Sequence, residues 1–158
     1  MDSDPCCSPS VQPGVHPCPT CGGRRSRPVD LSTVKAILKE VALHRLEPAR
    51  YQFCAVPECR TVYFDPASGA SFTTTEVSVT VWEKEPSGSR TICYCFGENE
   101  ADIRHEIEAN GSSRAMERIR GHIEAGRCAC EVRNPRGVCC LRDVAEAVRR
   151  QEGLAEVE

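Results

Sequence analysis

Hydrophobic positions change their period along this chain, and the change divides it in two. The stretch "VDLSTVKAILKEVALH" places Leu31, Val34, Ile37, Leu38 and Val41 on one face of a helix, with Asp30 positioned as its N-cap. "YQFCAVPECRTVYF" then reads as strand, tight loop and strand, with Pro57 favouring the turn. "SFTTTEVSVTVW" predicts a further hairpin. The polar stretch "EKEPSGSR", residues 83–90, reads as a linker.

Beyond it the pattern is helical. Ile103 and Ile107 mark a short helix that ends at Asn110-Gly111. Met116, Ile119 and Ile123 mark a second, with Ser112 or Ser113 to cap it and Gly126 to stop it. Leu141, Val144, Ala145 and Val148 mark a third, which begins beside Cys139-Cys140. The expected fold class is α+β: a flexible tail over 1–16, a helix-plus-hairpin module over 17–82, the linker, a helical module over 91–150 and a tail over 151–158.

Composition sharpens this picture. The 158 residues include one Trp, three Tyr and four Phe, so the apolar core is thin and needs staples. Twelve cysteines could supply them. The amino terminus "MDSDPCCSPS" lacks the basic and apolar regions of a signal peptide, and no apolar run is long enough to insert in a membrane. A reducing cytoplasm is therefore expected, where thiols bind metal rather than each other. The net charge of −3 gives no reason to expect nucleic acid. The run Arg24-Arg25-Ser26-Arg27 reads as a solvated loop.

The thiols come in close pairs, which favours chelation. Cys18-Pro-Thr-Cys21-Gly-Gly and Cys54-x4-Cys59 are two short-spaced pairs that can close one tetrahedron around Zn²⁺. Four thiolates leave no open position, so such a site is structural. In "TICYCFGENE", Cys93 and Cys95 lie on one side of an extended segment, too far apart along the chain for a disulfide. "GRCACEVRNPRGVCCLRDV" adds Cys128, Cys130, Cys139 and Cys140. Four of these six thiolates could hold a [2Fe–2S] cluster or a second zinc. The turn Asn134-Pro-Arg-Gly137 and the helix start at Cys139 or Cys140 would offer N–H groups to an anionic cluster.

"CYC" followed by two helices, "C…NPxGxCC" and another helix resembles the bacterioferritin-associated-ferredoxin-like (BFD-like) [2Fe–2S] module. With "CPxC" and "YxFC-x4-C-x-x-VYF" ahead of it, the chain over about 17–150 resembles the amino-terminal domain of the archaeal CopZ copper chaperones. That resemblance implies zinc on Cys18, Cys21, Cys54 and Cys59, and a [2Fe–2S] cluster on Cys93, Cys95, Cys130 and Cys140. Cys128 and Cys139 compete with Cys130 and Cys140 for the last two places. The copper-binding domain that follows in those chaperones, with its "CxxC" loop, has no counterpart in this sequence.

The resemblance implies a cytoplasmic protein of one-electron transfer in copper handling, such as reduction of Cu(II) to Cu(I) for a chaperone or a copper-exporting ATPase. A ferredoxin-like adaptor for a redox partner, and a soft-metal sensor or buffer without redox role, are the alternatives. Cys6-Cys7 could take Cu⁺ transiently. His16, His44, His105 and His122 read as solvated or half-buried imidazoles, and no catalytic constellation stands out.

Overall fold

The computed structural model describes residues 14–157, with side-chain burial to residue 154. The tail cysteines Cys6 and Cys7 lie outside the described residues. The chain forms two compact units. One comprises the described residues as far as Glu85 together with Glu131–Gly137; the other comprises Pro86–Cys130 and the chain from Val138 onward. The fold class is α+β, with antiparallel strand pairs and a helical carboxy-terminal part.

In the amino-terminal unit, β1 (Ser26–Pro28), β2 (Gln52–Cys54), β3 (Thr61–Phe64) and β4 (Ser71–Thr73) form an antiparallel sheet in that order. Register pairs Phe53 with Tyr63 and Gln52 with Phe64, as the strand–loop–strand pattern requires. Every residue of β3 is buried, so both faces of this strand are covered. Tyr51, Phe53, Val62, Tyr63 and Phe72 pack with Val34, Ile37 and Leu38 into the main core.

The single expected helix is two. α1 (Leu31–Ile37) stops at Leu38, which turns to extended backbone, and α2 (Glu40–Leu43) follows after Lys39. The break has a long-range cause. Ser78 N–H donates to the Ile37 carbonyl at 2.8 Å, and Lys39 N–H donates to the Glu76 carbonyl at 2.8 Å. Leu38 thereby bridges Val77 and enters the core, whereas Val41, expected on the buried face, is 74% exposed. The expected hairpin over 71–82 yields only β4. Glu76 accepts the Thr73 N–H at 2.8 Å, which turns the chain away before a second strand can form. Asp30 occupies the N-cap of α1 without a side-chain capping bond. Arg24 and Arg25 are exposed, but Arg27 is half-buried in β1.

The other unit opens with β5 (Thr91–Cys93) paired to β6 (Glu98–Asn99), then α3 (Glu100–Asn110) and α4 (Ala115–Glu124). The short α5 (Cys130–Arg133) starts at the last residue of this stretch, and α6 (Leu141–Val157) completes it, continuing through residues expected as a tail. Asn99 caps α3 by accepting the Asp102 N–H at 2.9 Å, and Gly111 closes it at φ 80°. Arg114 occupies the N-cap of α4, and Ser113 accepts the Ala115 N–H. Ile92, Ile103, Ile107, Ala115, Ile119, Val144, Ala147 and Val148 form the core, and Cys93 and Cys140 belong to it.

Candidate metal centres

The first centre is built from two turns. Gly22 N–H donates to the Cys18 carbonyl at 2.7 Å, with Gly22 at φ +69°, and this closes the Cys18–Cys21 knuckle. Cys54 ends β2, and Cys59 closes the next turn by donating its N–H to the Val56 carbonyl at 3.1 Å. The Sγ atoms of Cys18 and Cys59 are 3.8 Å apart, and those of Cys21 and Cys54 are 3.9 Å apart. A thiolate tetrahedron with Zn–S bonds of about 2.3 Å has edges of about 3.8 Å, so the spacing fits zinc. All four sulfurs lie within 4.8 Å of one another.

Electrostatics around these sulfurs differ by position. Burial pushes the Cys18 thiol up, but N–H groups of Cys21 and Thr20 and the neighbouring thiols outweigh it and bring it down to about 7. The Gly23 N–H also points at Cys21 Sγ, at 3.4 Å, as expected of a metal knuckle. Burial pushes Cys54 up to about 12, against the opposing pull of the Val56 N–H and the Lys84 ammonium. Lys84 Nζ donates to the carbonyls of Val56 and Cys59, each at 2.9 Å, so it pins the turn that joins Cys54 to Cys59. Lys84 sits in the stretch expected as a linker, and nothing in the local sequence marks this role.

In the other unit, Cys93 ends β5, and the chain turns at once: Gly97 N–H donates to the Cys93 carbonyl at 2.9 Å, with Gly97 at φ +73°. Cys95 therefore lies in a tight turn, not in an extended segment. The turn brings Cys95 Sγ to 3.7 Å from Cys130 Sγ. Cys140 and burial together push the Cys93 thiol up, and Cys139, Cys140 and Cys95 do the same to Cys130. Cys130 is thus approached by Cys95, Cys139 and Cys140, and Cys93 joins this group of thiols through Cys140. None of these five is in a disulfide. Cys128 is half-buried, two residues before Cys130.

In the Asn134–Gly137 turn the N–H groups of Arg136 and Gly137 donate within the turn, to Asn134 Oδ1 and O at 3.0 and 2.7 Å. Donors to sulfur in this unit include Ala129 N–H, at 3.3 Å from Cys95 Sγ, and the N–H groups of Phe96 and Cys95 towards Cys93. Neither Cys139 nor Cys140 is inside α6. Cys140 accepts the Val144 N–H at 2.9 Å and so caps the helix, and Cys139 precedes it. His16, His44 and His105 are exposed and His122 is half-buried, stacked on Phe96 with ring centroids 4.0 Å apart.

Fold and site together define a cysteine-rich protein whose amino-terminal unit gathers four thiols that could hold one metal ion. Residues 15–78 match the family model of a zinc binding domain, zf_CopZ. The chain is also similar to the X-ray structure of the Archaeoglobus fulgidus CopZ N-terminal domain, with 28% identity and a TM-score of 0.66, over 83% of this chain and 96% of that one. No curated protein matches the chain. Among the described residues, no helix is long and apolar enough to cross a membrane.

Proposed function

We propose that the protein holds zinc on Cys18, Cys21, Cys54 and Cys59 and a [2Fe–2S] cluster on Cys93, Cys95, Cys130 and Cys140, and transfers single electrons in copper handling. The carrying observation is how the second set of thiols is spread. Among the described residues, the set Cys18, Cys21, Cys54 and Cys59 is the one whose ligand atoms all lie within 4.8 Å of one another. The second set spreads over more thiols than one zinc takes: Cys95 lies 3.7 Å from Cys130, which Cys139 and Cys140 also approach, and Cys140 approaches Cys93. Such spacing suits two irons, each with its own thiolates, better than a second mononuclear zinc.

Bound there, a [2Fe–2S] cluster would supply one electron at a time, the number that takes Cu(II) to Cu(I). The chain's own residues would set its environment. Ile92 and Ile103, both fully buried, exclude water from the inner side, and Cys140 presents its sulfur at the positive end of a long helix. Cys95 is half-buried, so electrons would leave by that edge. Zinc, closed by four thiolates, would take no part in the transfer. The resemblance to a copper chaperone's domain supports copper as the metal served, and a copper chaperone, exporter or other redox protein as partner.

Protein purified without oxygen should be brown and contain about one zinc and two irons per chain. Once reduced, it should return to its oxidised spectrum on adding Cu(II), with Cu(I) captured by a chromophoric chelator. A colourless protein with about two zincs would refute the cluster. A brown protein inert to Cu(II) would leave the adaptor reading.

A further inference from the structure

Of the eight residues between Cys130 and Cys139, the seven Glu131–Gly137 pack in the amino-terminal unit. Three side chains of that unit hold them. Thr33, 1% exposed, donates its hydroxyl to the Glu131 carbonyl. Tyr63, fully buried, donates its hydroxyl to the Pro135 carbonyl at 2.6 Å. Arg136 meets Glu83 in an ion pair at 2.8 Å, with side chains 16% and 10% exposed. Gly137, at φ +68°, lies so near Thr33 that a Cβ there would come within 2.8 Å of its Oγ1. Asn134, 2% exposed, closes the turn between these grips.

Buried hydroxyls demand partners, and these two find theirs on loop carbonyls. Valine and phenylalanine would serve the core at those two positions equally well. The hydroxyls are explained by what they grip. Tyr63 also stands on β3, the strand that leaves the zinc ligand Cys59 after one residue. The same short strand thus connects a zinc thiolate to the loop that spaces the cluster thiolates.

We propose that Tyr63 and Thr33 are positioning residues for the second centre: they clamp loop 131–137 and so fix the separation of Cys130 from Cys139 and Cys140. The proposal rests on the reading that those thiols hold a metal group. Releasing the loop lets the two ends of the ligand set move apart, and the bound group is then lost faster. One net hydrogen bond corresponds to about a five-fold change in such an opening equilibrium.

The test uses Tyr63→Phe in the full chain, with Tyr51→Phe as comparison. Tyr51 is another buried tyrosine of the same unit, but its hydroxyl donates to the Glu47 carbonyl, away from the loop. Iron release to a chelator should be about five-fold faster in Tyr63→Phe than in the wild type. Tyr51→Phe should match the wild type, and zinc content should be unchanged in both. Amide hydrogen exchange over 131–140 should rise in Tyr63→Phe alone, a readout that holds whatever metal the site contains. Thr33→Val should repeat both effects and Thr33→Ser should restore them, which covers the case of a poorly folded Tyr63→Phe. Absence of iron with a raised loop exchange would overturn the cluster and keep the clamp. Unchanged exchange and unchanged metal release in Tyr63→Phe and Thr33→Val would overturn the clamp. Equal acceleration in Tyr51→Phe would reduce the effect to general destabilisation and overturn it too.

Discussion

Replacing Lys84 by methionine should weaken zinc binding without touching a ligand. The ammonium makes two hydrogen bonds of 2.9 Å, to the carbonyls of Val56 and Cys59, and methionine keeps the apolar stem while removing both. Hydrogen bonds to a charged group contribute about 1.5–3 kcal/mol each when buried. Lys84 is half-buried, so water replaces part of the loss, and about 2 kcal/mol for the pair is a fair magnitude. That corresponds to a zinc dissociation constant roughly 30-fold higher. The deficit should hold constant from about pH 6 to 8, because the Cys54 thiol, pushed up to about 12 by burial, titrates above that window with or without Lys84. Competition against a chromophoric zinc chelator measures it. Lys39→Met is the matched control, since Lys39 Nζ donates to the Thr75 carbonyl at 2.8 Å on an exposed surface. A Lys84→Met affinity within about two-fold of the wild type would refute the reasoning.

Other outcomes follow from the helical unit. Pairing with Arg118, against some burial and with help from the Arg114 N–H and Ser113, holds the Glu106 carboxyl down to about 2. Its folded value is depressed, so its stabilisation is present above the ordinary carboxylate value and lost as pH falls towards about 2. The melting-temperature gap between wild type and Glu106→Gln should therefore be full at neutral pH and close in acid. Glu100, with a side chain 2% exposed, accepts from the Arg90 guanidinium and from the N–H groups of Gly88 and Arg90. Glu100→Ala takes this buried carboxylate away from the Arg90 guanidinium and should cost about 3–5 kcal/mol in chemical denaturation, whereas loss of under 1 kcal/mol would contradict the assignment. Cys140→Ser should lose or distort the cluster spectrum and Cys139→Ser should keep it; the reverse result would shift the ligand register by one residue.

How much was legible depends on the range of the forces involved. The clustering of four thiols was visible because Cys18–Cys21 and Cys54–Cys59 are joined by turns too short to place the sulfurs of each pair far apart. Ile103, Ile107 and Ile119 were visible as core because a helix repeats its own period. The break at Leu38 was not, because its cause is the distant segment 76–78. The turn after Cys93 was signalled by Gly97, and the extended reading gave that glycine too little weight. Thr33 held a quieter signal: it is a polar residue beside Val34 on the buried side of α1, and its partner lies 98 positions away. No local pattern could name that partner.

The distribution of aromatic residues gives the second centre a structural meaning beyond its chemistry. Tyr51, Phe53, Tyr63, Phe64 and Phe72 are all buried in the zinc-bearing unit. The helical unit has no fully buried aromatic among its described residues, and its core is isoleucine, valine and alanine closed by Cys93 and Cys140. Those two sulfurs therefore serve as apolar packing and as proposed ligands at once. In the absence of metal Cys93 is a crowded thiol pushed towards the neutral form by Cys140 and burial. A neutral thiol packs well in such a core, so the helices can assemble before any metal arrives, and loading then requires the protons to leave. Cys93→Ala separates the two roles, because it retains an apolar side chain and removes the ligand. If packing were the main role, Cys93→Ala would lose metal yet hold most of the helical signal. If ligation organises the unit, the helices around Ile103 and Val144 would melt with it.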